Sequence, residues 1–72
     1  METKFLEFVA DVMEVEVGDI SMETEYKKFP QWDSLMMMNL IMEIEEEFDV
    51  SISMEMAGNI KKLQDLYELI EK

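Results

Sequence analysis

Ser34, preceded by Asp33 and followed by Leu35, is the residue of this chain best placed to take part in chemistry. A helix too hydrophobic for a simple one-faced amphipath opens at this point. Its hydroxyl therefore stands where free backbone N–H groups and the positive end of the helix dipole favour an anion. The usual ways of making serine a nucleophile are closed. The chain has no histidine, so a Ser-His-Asp arrangement is impossible. It has no cysteine either, which removes disulfides, thiolate metal sites and thiol catalysis. A Ser-Lys pair would need a lysine turned onto Ser34 in a pocket that 72 residues are too few to supply. No stretch matches the ligand pattern of an EF-hand loop with its central glycine. Glu45, Glu46 and Glu47 are consecutive, and on a helix they cannot all face one ion. The residues thus give no support to intrinsic catalysis. Two readings of Ser34 stay open: an ordinary first-turn serine beside a capping aspartate, or a site on which another enzyme installs a phosphate-linked group.

The helix that positions Ser34 runs from Asp33 or Ser34 to Phe48. At about 100° per residue, Met37, Leu40, Ile41, Ile44 and Phe48 form one stripe with the spacing of a core face. Leu35, Met38 and Met42 form a second apolar set, also spaced by three and four, roughly a third of a turn away. So short a chain has little core in which to bury both. The second stripe is therefore expected to be partly exposed beside Ser34, as a partner surface, and methionine suits such a surface because its side chain repacks. The competing readings are that both stripes are core, or that the second closes a homodimer.

Composition bounds the remaining possibilities. A chain of 72 residues makes one domain, expected to span residues 1–72, and buries only about 60% of its unfolded surface. That is too little for a conventional catalytic cleft, but 49% hydrophobic residues should fold it without staples. Eighteen acids against six lysines leave a net charge of −12. Such a surface repels phosphate backbones, which argues against nucleic acid. It attracts basic patches on protein partners, besides keeping the domain soluble. No apolar run approaches a membrane span, and Met1-Glu2-Thr3-Lys4 lacks the pattern of a signal peptide. Residence in the cytoplasm is the expectation, as a monomer.

In chain order, Phe5, Phe8, Val9 and Val12 place a first helix over residues 4–16, widened by Leu6 and Met13, with Thr3 as N-cap and Gly18 as stop. Residues 19–31 show no period. Ile20, Tyr26 and Phe29 are the expected anchors of this long connection, a length that tends to be functional or packed by its own side chains. Lys27-Lys28 receives no special role. Asp33 is a good N-cap type for the second helix, without a capping box, since Met36 stands three residues on. The glutamates at its other end oppose the dipole and read as solvated charge. Val50 and Ile52 turn inward. Ser53 caps a short third helix over residues 54–58 or 54–59. Ile60, Leu63, Leu66, Tyr67 and Ile70 give a fourth helix to the C-terminus. The expected fold is all-α: a small four-helix bundle, three main helices and a short third, with a long loop between the first two.

Asp33-Ser34-Leu35, set before a helix ending in Glu45-Glu46-Glu47-Phe48-Asp49, resembles the acyl carrier protein family and its peptidyl carrier relatives. The resemblance covers nearly the whole chain. It includes the hydrophobic first helix, the aromatic anchor Tyr26, the Ile52 turn, Ala57 and Ile60 around the third helix, and the apolar last helix. It implies a carrier and not an enzyme. Ser34 would receive 4′-phosphopantetheine from coenzyme A through a phosphopantetheinyl transferase, with Asp33 assisting that metal-dependent reaction. Acyl or aminoacyl groups would ride as thioesters on the arm's thiol, between enzymes that load and transfer them. Leu35, Met38 and Met42 would be the hydrophobic contacts for those enzymes, in agreement with the second stripe. Met37, Ile52, Met54, Ala57 and Ile60 would wall a cargo pocket between the second and third helices.

The chain also departs from that pattern. Met36 and Asn39 occupy positions that carriers of fatty acid synthesis usually give to acids, and Pro30-Gln31-Trp32 replaces a Gly-Ala type of approach. These features look more like free-standing carriers of specialised biosynthesis. They leave Glu43, Glu46 and Glu47 as electrostatic contacts around a drier docking surface that includes Met36 and Asn39. The alternative function is an unmodified acidic helical interaction module that uses the methionine-rich face. A third, a cation-binding acidic module, would show as a calcium-dependent melting temperature.

Overall fold

The computed structural model describes residues 1–71 of the 72. Four helices follow one another: α1 Glu2–Met13, α2 Ser34–Phe48, α3 Met54–Ala57 and α4 Leu63–Glu71, with a 3₁₀ turn at Val17–Asp19. The all-α architecture with a long first connection is the one its periodicities predict.

The ends of α1 differ from expectation. It starts two residues early, on the Met1 carbonyl, which accepts from Phe5 N–H at 2.9 Å, so Thr3 lies inside the helix and caps nothing. It also stops four residues before Gly18. Glu14 takes the left-handed conformation (φ 60°) and donates to Asp11 O, while Val15 N–H reaches back to Ala10 O at 2.9 Å. Those two bonds are the Schellman pattern, built on a glutamate where glycine is the common choice. The reversal turns Val15 back toward the core, and that burial offsets the strain of a non-glycine residue at positive φ.

α4 likewise starts at Leu63, later than Ile60. Asp65 Oδ2 accepts from the backbone N–H of Lys61 and Lys62, at 2.9 and 3.2 Å, and so gathers the chain into the helix. Ile60 is held in the preceding turn by its bond to Ala57 O. The expected run to the C-terminus reaches Lys72, which lies outside the described residues. α2 and α3 start as predicted: Asp33 Oδ1 accepts from Met36 N–H at 2.9 Å, and Ser53 Oγ from Met56 N–H at 3.1 Å.

The core collects Phe5, Val9 and Met13 of α1, Met37, Leu40 and Ile44 of α2, and Leu63, Leu66, Tyr67 and Ile70 of α4. Phe5 meets Tyr67 at 5.2 Å between ring centroids, and Phe8 meets Phe48 edge-on at 5.6 Å. Ile41 and Phe48 complete the α2 stripe from half-buried positions. The glutamate run ends differently from its expected solvation: Glu45 Oε2 accepts from Ile52 N–H at 2.8 Å and pins the turn after α2.

The long connection is tied down by its backbone. Leu63 N–H bonds to Thr24 O, Gln64 N–H to Met22 O and Tyr26 N–H to Lys61 O, at 2.8 to 3.0 Å, so it runs alongside the segment entering α4. Lys62 Nζ adds an ion pair to Glu23 at 3.0 Å, which raises the Lys62 pKa above its ordinary value. Ile20 is buried and Phe29 half-buried, but the dominant anchor is Trp32, fully enclosed against Tyr26 at 5.4 Å.

Candidate functional site

Ser34 is the first residue of α2, and its position follows from local chemistry. The extended Asp33 caps the helix with its carboxylate, and the buried Trp32 ring holds the preceding chain against the core. The hydroxyl is left exposed at the surface. Its Oγ accepts a hydrogen bond from Tyr26 Oη at 3.1 Å. Tyr26 is itself fixed at three points: its ring against Trp32, its N–H on Lys61 O, and Lys27 Nζ over its ring at 5.5 Å from the centroid.

The second stripe of α2 is exposed. Leu35 is 78%, Met38 61% and Met42 60% accessible, whereas Leu40 and Ile44 of the first stripe are at 0%. Both stripes belong to one helix, and only one is core. Leu35, Met38 and Met42 line a shallow groove with Pro30, Gln31, Asp33, Met36 and Asn39. Met36 is half-buried there, and Asn39 is exposed. Glu43 and Glu46 are exposed on α2 outside that groove.

A second groove of about 660 Å³ lies between α2 and α3, within the size range of small-molecule sites. Ser34 stands at its edge. Met37, Ile52, Met54, Ala57 and Ile60 all line it, with Ile41 between them, so residues up to 23 positions apart in sequence share one apolar wall. Met54 is its most exposed member at 86%, and Ile52 and Ile60 form its floor.

An exposed hydroxyl beside an apolar groove suits a covalently attached flexible group. Its oxygen is free to bear one, because no buried polar network claims it. Tyr26 Oη, Lys27 and Lys61 also border the site and are absent from the candidate residues read in the sequence. Nothing local marks them. Their relation to Ser34 is made by backbone bonds between segments 35 residues apart, Tyr26 to Lys61. No cluster of acidic side chains suited to a metal ion exists among the described residues, and no helix is long and apolar enough to cross a membrane.

Comparison with known proteins agrees with this geometry. Residues 3–70 match the family model described as phosphopantetheine attachment site. An acyl carrier protein of Trieres chinensis is 41% identical over 63 residues, covering 88% of this chain and 79% of the relative. One of Solidesulfovibrio magneticus is 38% identical over 69 residues, 96% of this chain and 88% of the relative. One of Porphyromonas gingivalis is 33% identical over 72 residues, 100% of this chain and 92% of the relative. The chain belongs to the acyl carrier protein family, non-catalytic proteins that carry acyl intermediates on a 4′-phosphopantetheine group.

Proposed function

We propose that Ser34 is the attachment point of the 4′-phosphopantetheine arm and that residues 1–72 form a single, monomeric carrier domain. The observation that carries this reading is the exposed Ser34 hydroxyl at the start of α2, between an apolar docking stripe and an apolar groove. The arm supplies a terminal thiol on which acyl groups are held as thioesters. A monomer keeps the Leu35, Met38 and Met42 stripe open to successive enzymes.

Installation forms a bond from Ser34 Oγ to the phosphorus that bears pantetheine. The pyrophosphate bond of coenzyme A breaks, adenosine 3′,5′-bisphosphate leaves, and a base of the transferase takes the serine proton. Tyr26 has a defined part in this. Because its hydroxyl donates to Ser34 Oγ, it occupies one lone pair and leaves the serine's own proton to point away, toward the incoming base. Asp33 holds the first turn of α2 through Met36 N–H and keeps its second carboxylate oxygen available toward the transferase's metal ion.

Leu35, Met36, Met38, Asn39 and Met42 are proposed to dock the transferase and the enzymes that load and transfer acyl or aminoacyl cargo, with Glu43 and Glu46 meeting basic groups at the rim. Apolar area of this kind, removed from water at the centre of an interface, carries most of the binding energy, whereas rim charges mainly set encounter rates. Met37, Ile52, Met54, Ala57 and Ile60 are proposed to shelter the cargo. The test is incubation with coenzyme A and a broad-specificity phosphopantetheinyl transferase, read by intact mass beside a Ser34→Ala control. A gain of one phosphopantetheine in the native chain alone supports the reading. No gain, with both proteins folded and the enzyme active on another carrier, overturns it.

A further inference from the structure

The two grooves beside α2 differ in charge. The one lined by Leu35, Met36 and their neighbours contains the Asp33 carboxylate and no cation. The α2–α3 groove contains Ser34 together with Lys27 and Lys61. Its one acid, Glu45, already has an oxygen committed to Ile52 N–H. In a chain of net charge −12 with six lysines, two lysines facing one groove are a concentration of positive charge. Their sequence neighbours are spoken for: Lys28 pairs with Glu25 at 3.4 Å and Lys62 with Glu23 at 3.0 Å. Lys27 and Lys61 have no carboxylate in ion-pairing reach among the described residues.

The backbone at both lysines is also fixed. Lys27 adopts a left-handed conformation (φ 75°), and its N–H bonds to Trp32 O at 3.1 Å. Lys61 donates its N–H to Asp65 and accepts from Tyr26 N–H. Tyr26, between them, directs its hydroxyl at Ser34 Oγ. Lys27 and Lys61 thus line the same groove as Ser34, with Lys27 Nζ over the Tyr26 ring at 5.5 Å from its centroid and the Tyr26 hydroxyl on Ser34 Oγ.

We propose that Lys27 and Lys61 hold the phosphodiester of the arm and so direct the arm into the α2–α3 groove, leaving the Leu35–Met36 side clear for partners. This rests on Ser34 as the attachment point. The phosphodiester is anionic and is bonded directly to Ser34 Oγ, so it is the part of the arm that cannot leave the lysines' neighbourhood. The Asp33 carboxylate disfavours the opposite side for the same charge. The pantetheine chain then leaves the phosphate over Met37 and Met54, and cargo enters between Ile52 and Ile60.

The methionines report the outcome, because Met36 lines only the first groove and Met37 and Met54 only the second. The protein is labelled with carbon-13 at its methionine methyls, converted to the phosphopantetheinylated form, and checked by intact mass. Nuclear Overhauser contacts are then measured from the arm's geminal methyls. Contacts to Met37 and Met54, lost in the modified Lys27→Gln/Lys61→Gln variant whose apo spectrum shows a native fold, are the expected result. Contacts to Met36, contacts that survive in the double variant, or no contacts at all overturn the proposal while leaving Ser34 as the attachment point. Failure to gain mass removes the attachment point itself, and the proposal with it.

Discussion

α2 makes a quantitative prediction, because two leucines five residues apart face opposite fates. Leu40 is fully buried and Leu35 is 78% exposed. Leu40→Ala removes buried methyl groups and leaves a cavity, at a cost of about 2–5 kcal/mol. A domain of this length has roughly 4–11 kcal/mol of total stability, so that loss is a large fraction. At about 4–8 °C per kcal/mol for a small domain, the melting temperature should fall by at least about 8 °C. Leu35→Ala removes a side chain that makes little contact within the chain, and surface changes of this kind stay within about 0.5 kcal/mol, or less than about 4 °C. On the docking role proposed for Leu35, its effect falls on the encounter with the transferase. Losing a leucine from the desolvated centre of an interface costs about 1–2 kcal/mol, which is roughly a 5- to 30-fold drop in transferase kcat/KM. Melting by circular dichroism at 222 nm and initial rates of modification measure the two effects separately. If Leu35→Ala melted as low as Leu40→Ala, or if melting depended on protein concentration in the native chain but not in Leu35→Ala, the second stripe would be core or a dimer face. The docking argument would then fail.

Four further outcomes are expected. Asp33→Ala removes the α2 cap and should cost about 1 kcal/mol of stability, and the transferase rate should fall by more than that loss of folded protein explains. Tyr26→Phe deletes the hydrogen bond to Ser34 and should lower modification kcat/KM about 2- to 10-fold, in keeping with a bond of roughly 0.5–1.5 kcal/mol, with little change in melting. Trp32→Ala empties a fully buried site and should cost about 3–5 kcal/mol, enough to leave much of the chain unfolded in a urea titration. Above pH 10 the fold should weaken: burial raises the Tyr67 pKa above its ordinary 10.0, and Glu23 raises Lys62 above 10.5. In each case the native state holds the proton more tightly, so the stabilisation is complete below the unfolded pKa and is lost as pH rises through the native one. A melting temperature unchanged between pH 9 and 11.5 would refute that assignment.

Much of this protein was legible in its sequence because the legible parts are periodic. The Met37, Leu40 and Ile44 stripe had to be core, since burying it is what holds a helix of fifteen residues in place. The Leu35, Met38 and Met42 stripe was expected to be partly exposed, since a chain of this size has little core in which to bury it. Spacing gave both stripes but left open whether the second was also core or a dimer face, and its exposure in the structure separates it from the core stripe; the caps at Asp33 and Ser53 were legible from residue type. The helix ends were less legible. Glu14 and Asp49 take the left-handed conformation that glycine usually supplies, and they do so because the residues after them, Val15 and Val50, are drawn back onto the core. Local preference named Gly18 as the stop. Tertiary packing placed it four residues earlier.

The surroundings of Ser34 were the least legible part, and the reason is physical. Trp32, Tyr26, Lys27 and Lys61 lie in segments without a period, and what brings them together is backbone hydrogen bonding between the long connection and the entry to α4. A bond of that kind leaves no mark on residue type, because every residue but proline carries the same donor and acceptor. Periodic helices therefore fix where the serine stands and which face of α2 stays exposed. The aperiodic connection decides what stands beside the serine. Those two tasks can vary independently: Lys27 and Lys61 can change without disturbing a core stripe, and Met38 can change without disturbing the lysines. In a domain too small for separate layers, this division lets one helix give one side to the core and keep an apolar stripe exposed on another, while aperiodic segments set the charge in the groove beside Ser34.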